Sequence, residues 1–262
     1  PWPRDTKIKA LRIVQVFPKA TARADNPPVG IGHQSLCRGV LGTVPVDEDG
    51  SAHFCCPAGK AVYFQALDER GLAVQSMRSD TYVQPGQFLT CQGCHDPRAA
   101  GVRPGTGAVS ALRRPPSKIQ PDVDGSYPLL FPRLVQPVLD RNCVACHRKN
   151  PAAPDLSGAP HPKRQTWSLS YTALAPKGYY LQGGRGGIMA GVHGGSRSVP
   201  GQVGACAADL YKMLCSGHHD VKLAPPDLHR ITLWLDCNSV FYGAYTRTDQ
   251  QIKGELVPPE LE

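Results

Sequence analysis

The sequence has no long hydrophobic run and no block of like charges. No stretch approaches the roughly 20 consecutive apolar residues of a membrane-spanning helix, so we expect no membrane span. Lys and Arg are scattered, and no basic run is longer than pairs such as Arg113-Arg114 and Lys163-Arg164. The net charge of +8 therefore does not indicate a nucleic-acid partner. With 41% hydrophobic and 19% charged residues, the chain is too apolar to be a disordered protein.

The sequence also lacks continuous helical periodicity over most of its length. It contains 27 Gly and 26 Pro among 262 residues, a composition that predicts long ordered loops and short elements. No signal-peptide pattern is visible, and the first residue is Pro1 rather than Met. We therefore expect a processed protein or the C-terminal part of a longer chain.

Two Cys-x-x-Cys-His motifs carry the chemistry. They are Cys91-Gln92-Gly93-Cys94-His95 and Cys143-Val144-Ala145-Cys146-His147. In this motif the two thiols form thioethers with the haem vinyl groups, and the adjacent His binds the iron. The sequence therefore predicts two covalently bound haem c groups. The alternative is a zinc site built from the two Cys pairs, but such pairs are usually closer in sequence and are not each followed by His.

Six cysteines lie outside these motifs: Cys37, Cys55, Cys56, Cys206, Cys215 and Cys237. Ten cysteines in a chain of this size would be unusual in a reducing cytosol. We therefore expect a periplasmic or extracellular protein in which these six are mostly disulfide-bonded. Cys215, which precedes Gly217-His218, could instead belong to a degenerate third haem site with one thioether.

The element pattern predicts an α+β fold that is rich in loops. Alternating apolar residues and turn signals indicate strands over residues 7–17, 42–46, 52–56, 61–67, 72–75 and 81–83, which suits a small β-sandwich. Helical spacing before the second motif, at residues 207–215 and after Pro225-Pro226, with the acidic Asp227 in the first turn, indicates a helical cytochrome c-like domain. We expect a β-rich domain over residues 1–110 with the first haem at its end, a linker over 111–127, and a helical domain over 128–262 with the second haem.

Each haem iron needs a second axial ligand, and several side chains are candidates. His218 is preferred for the second haem, because its turn lies between two predicted helices, and His219 is its direct competitor. Met189 and His193 are further alternatives for that haem. Candidates for the first haem, besides an open position, are Met77, His33 and His53. The remaining His and Met residues that could serve are His161, His229 and Met213.

Several segments resemble the C-terminal part of the hydrazine synthase alpha-subunit family. They are the first motif, 91–95, the segment 132–140 that precedes the second motif, the Gly217-His218-His219 segment 217–223, and residues 29–32, 41–46, 49–52, 75–79 and 234–237. The resemblance covers nearly the whole chain. It implies a first haem near the sheet-rich part and a second haem in a helical cytochrome domain, and it favours His218 over His219.

One position departs from the pattern of that family. In hydrazine synthase, the His of the first motif turns away from the iron, a Tyr four residues later replaces it, and a zinc ion sits nearby. Here the fourth residue after His95 is Ala99, and residues 96–100 contain no Tyr. We therefore expect His95 to be an ordinary axial ligand and do not expect hydrazine synthesis.

The favoured function is electron transfer by an extracytoplasmic di-haem cytochrome, which is a more probable role for these motifs than catalysis. The expected partner is a redox protein or a neighbouring cytochrome, with homo-oligomers possible. One alternative is a haem redox enzyme, similar to hydrazine synthase, that acts on a small nitrogen or oxygen species. Another is a polymerising cytochrome, the subunit of a filament.

Overall fold

The structure, a computed structural model, has the mixed α+β fold that the sequence predicts. It describes residues 3, 5–32, 34–93, 109–163, 166–178 and 199–261. Within these ranges, four strands come first and the α-helices follow. Most of the connecting chain is loop, in line with the high content of Gly and Pro.

The strands form one antiparallel sheet. They are β1 (Ala10–Val16), β2 (Arg38–Pro45), β3 (Val62–Leu67) and β4 (Ala73–Ser76), in the spatial order β2-β1-β3-β4. A β-bulge shifts the register between Ile13 and Val14, because Leu41 has no partner in β1. Strands predicted at 7–17, 42–46, 61–67 and 72–75 are thus confirmed with somewhat different ends.

The two faces of the sheet bury different clusters, as the alternation of side chains along a strand requires. Val14 and Tyr63 belong to the main core on one face, whereas Ile13 and Val62 belong to a smaller cluster on the other. The smaller cluster is covered by Phe54, whose ring meets that of Phe64 edge-on at 5.7 Å.

The described residues contain one sheet rather than the two facing sheets of the predicted β-sandwich. Residues 52–56 were expected to be a strand, but that prediction is wrong. The backbone of this segment forms one isolated β-bridge, between Phe54 and Ser117. Its side chains Phe54 and Cys56 pack on the second face of the sheet. The predicted strand at 81–83 is likewise reduced to a bridge between Thr81 and Val62.

Short helices make up the second half of the described chain. Pro137 lies in the first turn of its helix, where its missing N–H is tolerated. The longest of the described helices has 12 residues, and none is long and apolar enough to cross a membrane. The helices are α1 (Phe131–Leu134), α2 (Gln136–Asn142), α3 (Val144–His147), α4 (Leu169–Leu174), α5 (Gly204–Ala207), α6 (Asp209–Cys215), α7 (Pro225–Asp236) and α8 (Thr248–Gln251).

The main core joins the sheet to the helices. The ring of Phe131 lies 5.2 Å from those of Tyr171 and Trp234, and 5.7 Å from that of Phe241. The same buried cluster includes Val14 and other residues of the sheet. Both predicted domains therefore contribute to a single hydrophobic core.

A buried ion pair crosses this junction. Arg12 on β1 donates to Asp236 at the end of α7 at 2.9 Å, and both side chains are 0% exposed. The Asp236 carboxylate also accepts from the backbone N–H groups of Ala73, at 3.1 Å, and Ala205, at 2.8 Å. Because one carboxylate holds β1, β4 and α5 together, α7 is fixed against the sheet at its C-terminal end.

Coil segments pair with both outer strands of the sheet. On β2, the backbone of Thr43 exchanges two 2.9 Å hydrogen bonds with Gln120. On β4, the carbonyl of Val74 accepts from the N–H of Gly201 at 2.7 Å. The approach of Gln120 depends on Gly42, since a Cβ there would lie 2.0 Å from the carbonyl oxygen of Gln120.

Candidate haem-binding site

The second Cys-x-x-Cys-His motif begins at the break between α2 and α3. Cys143 leaves helical geometry, with φ −125° and ψ −46°, while its carbonyl accepts from the N–H of His147 at 3.1 Å. Cys143 and Cys146 are separated by one short turn, so their side chains project from the same side of the chain. Cys143 is half-buried and Cys146 is exposed. This spacing suits two thiols that must both reach one planar ligand.

A backbone carbonyl orients the His of this motif. The Nδ1 atom of His147 lies 2.8 Å from the carbonyl oxygen of Pro154. A carbonyl oxygen only accepts hydrogen bonds, so Nδ1 carries the ring hydrogen and Nε2 keeps its lone pair. Histidines that bind metals are typically held by such a bond, which fixes both the tautomer and the ring direction.

The structure brings His218 to His147. His218 opens a short 3-10 turn, His218–Asp220, directly after Gly217, which has a left-handed backbone (φ 88°). The rings of His147 and His218 have centres 6.1 Å apart and planes inclined by 43°.

This separation suits two imidazoles on opposite sides of a metal ion. A metal–imidazole bond is about 2 Å long, and the nitrogen lies about 1 Å from the ring centre, so the two ring centres should be about 6 Å apart. The observed 6.1 Å therefore leaves room for one iron between the two histidines. Two half-buried imidazoles and two thiols are the donor set that a c-type haem requires.

The electrostatics favour a neutral His218. Partial burial lowers its pKa, and the neighbouring rings of His219 and His147 lower it further because each disfavours a positive charge beside it. Only the neutral imidazole has a lone pair to give to a metal. Burial raises the pKa of Cys143, and the nearby Cys146 raises it further. Cys143 is therefore a protonated thiol at neutral pH.

The other candidate ligands lie in different settings. The ring of His219 packs edge-on against that of His218 at 4.6 Å, and its side chain is exposed. The sulfur of Met77 accepts a hydrogen bond from the N–H of Phe64 at 3.4 Å and packs against the main core. His53 is half-buried, with an Nδ1 atom that has no partner.

His229 and His161 are engaged elsewhere. His229 binds Asp122 at 2.7 Å, and Nδ1 of His161 accepts from the N–H of Lys163 at 3.2 Å. Met213 packs against the main core.

Two residues of the first motif lie outside the described ranges. Cys91 is described and exposed, whereas Cys94, His95 and Ala99 are not in the described ranges. Of the candidate ligands, His33, Met189 and His193 also fall outside them. The exposed apolar side chains of Phe88 and Leu89 immediately precede Cys91.

The predicted disulfides are not formed, and that prediction is wrong for this structure. Cys37, Cys55, Cys56, Cys206, Cys215 and Cys237 are all free thiols. Burial raises the pKa of Cys206 to about 11 and that of Cys237 to about 12. A thiol protonated at neutral pH is a poor nucleophile for disulfide exchange.

The described residues contain no cluster of three or more His, Cys, Asp or Glu side chains arranged to hold a bare metal ion. The site that the structure does assemble is a facing pair of histidines beside two thiols, which suits a metal that brings its own four equatorial ligands.

Two residues of this site were missed by the sequence reasoning. Pro154 contributes only its carbonyl, which leaves no pattern in the sequence. Asp227 was noted as an acidic residue in the first turn of α7, but its carboxylate binds Arg141 at 2.6 Å and Asn142 at 3.0 Å, directly before Cys143. No local signal connects residues so far apart in the chain.

Comparison with known proteins links the chain to hydrazine synthase. Residues 6–96 match the family model described as hydrazine synthase alpha subunit middle domain. Hydrazine synthase subunit alpha of Kuenenia stuttgartiensis is 29% identical over 102 residues, which cover 34% of this chain and 13% of the relative. The match to the family model ends just after the first Cys-x-x-Cys-His motif.

A solved structure shares the fold over most of the chain. The structure of Kuenenia stuttgartiensis hydrazine synthase superposes with a TM-score of 0.56 and 20% sequence identity. The match covers 90% of this chain and 39% of that chain. The chain thus spans well under half of the relatives that it matches. These findings support a relation to the hydrazine synthase alpha subunit, and they extend the shared fold beyond the matched family model.

Proposed function

We propose that the protein is a di-haem c-type cytochrome that transfers electrons outside the cytoplasm. Haem c supplies a one-electron couple at iron when it is bound. The observation that carries the proposal is the facing pair His147 and His218, with ring centres 6.1 Å apart beside Cys143 and Cys146.

The residues of the second site have distinct roles in this proposal. Cys143 and Cys146 hold the haem covalently, His147 is the proximal ligand and His218 is the distal ligand. The carbonyl of Pro154 keeps His147 in the tautomer that directs Nε2 to the iron. Two imidazole ligands leave the iron no open position and favour a lower potential than His and Met. Both effects suit electron transfer rather than substrate binding.

For the first site, we propose that Cys91 and Cys94 carry the first haem c of the chain and that His95 is its axial ligand. Support comes from the complete motif in the sequence. The partner would be a redox protein or a neighbouring cytochrome, in the periplasm or outside the cell.

The test is a count of haems followed by a spectrum. After expression in a host that matures c-type cytochromes, the denatured chain should carry two covalent haems by mass, and the variant Cys143→Ser/Cys146→Ser should carry one. The second haem should be low-spin. Two aromatic rings in direct contact have the same range of centre-to-centre distances as the His pair, so the spin state is the deciding measurement. A high-spin second haem in the wild type would contradict ligation by both histidines. A chain without covalent haem would overturn the proposal.

A haem redox enzyme is the second candidate function. The observation that favours it is the family match over residues 6–96, which includes the whole first motif. In that case the first haem would keep an open position for a small nitrogen or oxygen species. Stoichiometric binding of CO or NO to one reduced haem of the wild type would favour this candidate, and two haems inert to both gases would favour electron transfer.

A further inference from the structure

Asp227 joins the two segments that carry the facing histidines. One carboxylate oxygen accepts from Nη2 of Arg141 at 2.6 Å, and the other accepts from Nδ2 of Asn142 at 3.0 Å. Asn142 is the last residue of α2 and directly precedes Cys143. The side chain of Asp227 is only 16% exposed, so these bonds are partly shielded from water.

The contact closes a short loop of chain. On one side, five residues lead from Asn142 to His147. On the other side, the distal turn His218–Asp220 is followed by four residues and then by the first turn of α7, which holds Asp227. The two segments therefore meet twice, at the carboxylate of Asp227 and at the two imidazole rings.

No residue in the N-terminal half of α7 is fully buried, since every buried residue of this helix lies between Ile231 and Asp236. In the N-terminal half, Asp227 and Arg230 lie on one face of the helix, and Arg230 donates to the carbonyl of Leu134 at 3.3 Å. His229 binds Asp122 at 2.7 Å. Among these polar contacts, those of Asp227 reach the end of α2.

We propose that Asp227 is a positioning residue that holds His218 at ligand distance from His147. The inference rests on the haem ligation proposed above. Asp227 touches neither the haem nor a ligand, and it acts by anchoring the start of α7 to the residue before Cys143. Without it, the distal turn can move away with the start of the helix, and the iron loses its sixth ligand for part of the time.

The test is the variant Asp227→Ala, examined by mass, by spectrum and by CO binding. A charged hydrogen bond is typically worth enough to change a local opening equilibrium about tenfold or more. We therefore expect two covalent haems to remain, a high-spin fraction to appear in the second haem, and its occupancy by CO at a fixed low concentration to rise about tenfold. Asp227→Asn should fall between Ala and the wild type, because its oxygen still accepts from Asn142 but lacks the charge.

Asp209→Ala is the matched control. Asp209 is an acidic residue at the start of α6 whose pair with Lys212, at 3.7 Å, is exposed on both sides. It should leave the spectrum and the CO binding unchanged. Asn142→Ala removes one of the two bonds to Asp227 from the other partner and leaves the bond from Arg141. It should reproduce part of the effect of Asp227→Ala, which keeps the test valid if that variant accumulates poorly.

The failures of the two proposals are distinguishable. A second haem that stays low-spin and closed to CO in both Asp227→Ala and Asn142→Ala would overturn the positioning role alone. Equal opening in Asp209→Ala would overturn it as well. A wild-type chain without a covalent haem at Cys143 and Cys146 would overturn the proposed function itself.

Discussion

At the scale of single residues, the central feature is the turn that presents His218. Gly217, His219 and Asp220 all have positive φ values, and the last two are not glycine. A left-handed backbone at such residues costs on the order of 1 kcal/mol each, so the surrounding structure must compensate for it. In this geometry the ring of His218 lies 6.1 Å from that of His147, and the ring of His219 packs edge-on against that of His218.

The first prediction separates these two neighbours. His218→Met should raise the midpoint potential of one haem by about 0.1 V or more, because a thioether ligand favours reduced iron. His219→Met should leave both potentials near those of the wild type. Spectroelectrochemical titration measures both variants, and a shift produced by His219→Met alone would move the distal ligand by one residue.

At the scale of elements, Arg12 and Asp236 connect β1 to the end of α7. We expect Arg12→Met to lower the free energy of unfolding by about 3–5 kcal/mol, because it leaves a buried carboxylate without its counter-charge. Arg70→Met is the control, since Arg70 is 61% exposed in its pair with Asp68 and should cost less than about 1 kcal/mol. Denaturant unfolding measures both, and similar losses in the two variants would contradict the role given to burial.

The bulged strand β2 supports a second prediction at this scale. Gly42→Ala should lower the free energy of unfolding by about 3 kcal/mol, because the new methyl group would collide with the Gln120 carbonyl. Gly50→Ala also places a side chain at positive φ, but nothing lies within 4 Å of it, so it should cost about 1 kcal/mol. Equal losses would show that the backbone angle alone matters.

At the scale of the whole molecule, one pH-dependent contact links the predicted linker to the last long helix. Burial raises the pKa of Asp122, but the hydrogen bond and charge of His229, the backbone N–H of Val123 and the charge of Arg12 together lower it by more, so the net shift is downward. A carboxyl with a lowered folded-state pKa adds stability above its unfolded pKa of about 3.9, and loses it as the pH falls through the folded-state value.

Asp122→Asn should therefore destabilise the protein by about 1–2 kcal/mol at pH 6, and by progressively less below pH 4. Asp124→Asn is the control, because Asp124 forms an exposed pair with Arg133 and should have little effect at either pH. Thermal unfolding across this pH range is the measurement. A difference between Asp122→Asn and the wild type that grows towards acid would contradict the sign of this contribution.

The sequence predicted those parts of the fold that depend on neighbours in the chain. The start of α7 followed from Pro225 and Asp227, and the strand pattern of β1, β3 and β4 followed from alternation. Features set by distant partners could not be predicted. Arg12 has the position of an outward polar residue in an alternating strand, and only Asp236, far away in sequence, explains its complete burial.

The candidate site divides in the same way. Cys143, Cys146 and His147 follow from a local motif, and the Gly217-His218 turn directed attention to the correct region. The carbonyl of Pro154 and the carboxylate of Asp227 act through folded geometry and leave no motif. The predicted disulfides failed because a count of cysteines carries no information about where the fold places each thiol.

The paired outer strands of the sheet limit how copies of the protein can assemble. Along β2, the outward N–H and C=O groups of Thr43 are taken by Gln120, and along β4 the carbonyl of Val74 is taken by Gly201. An incoming strand would find these hydrogen-bonding groups already occupied, so the sheet is a poor template for edge-to-edge aggregation. We therefore expect a filament or oligomer of this chain to grow through side-chain surfaces, with growth that responds to salt and surface charge rather than to competing β-strand peptides.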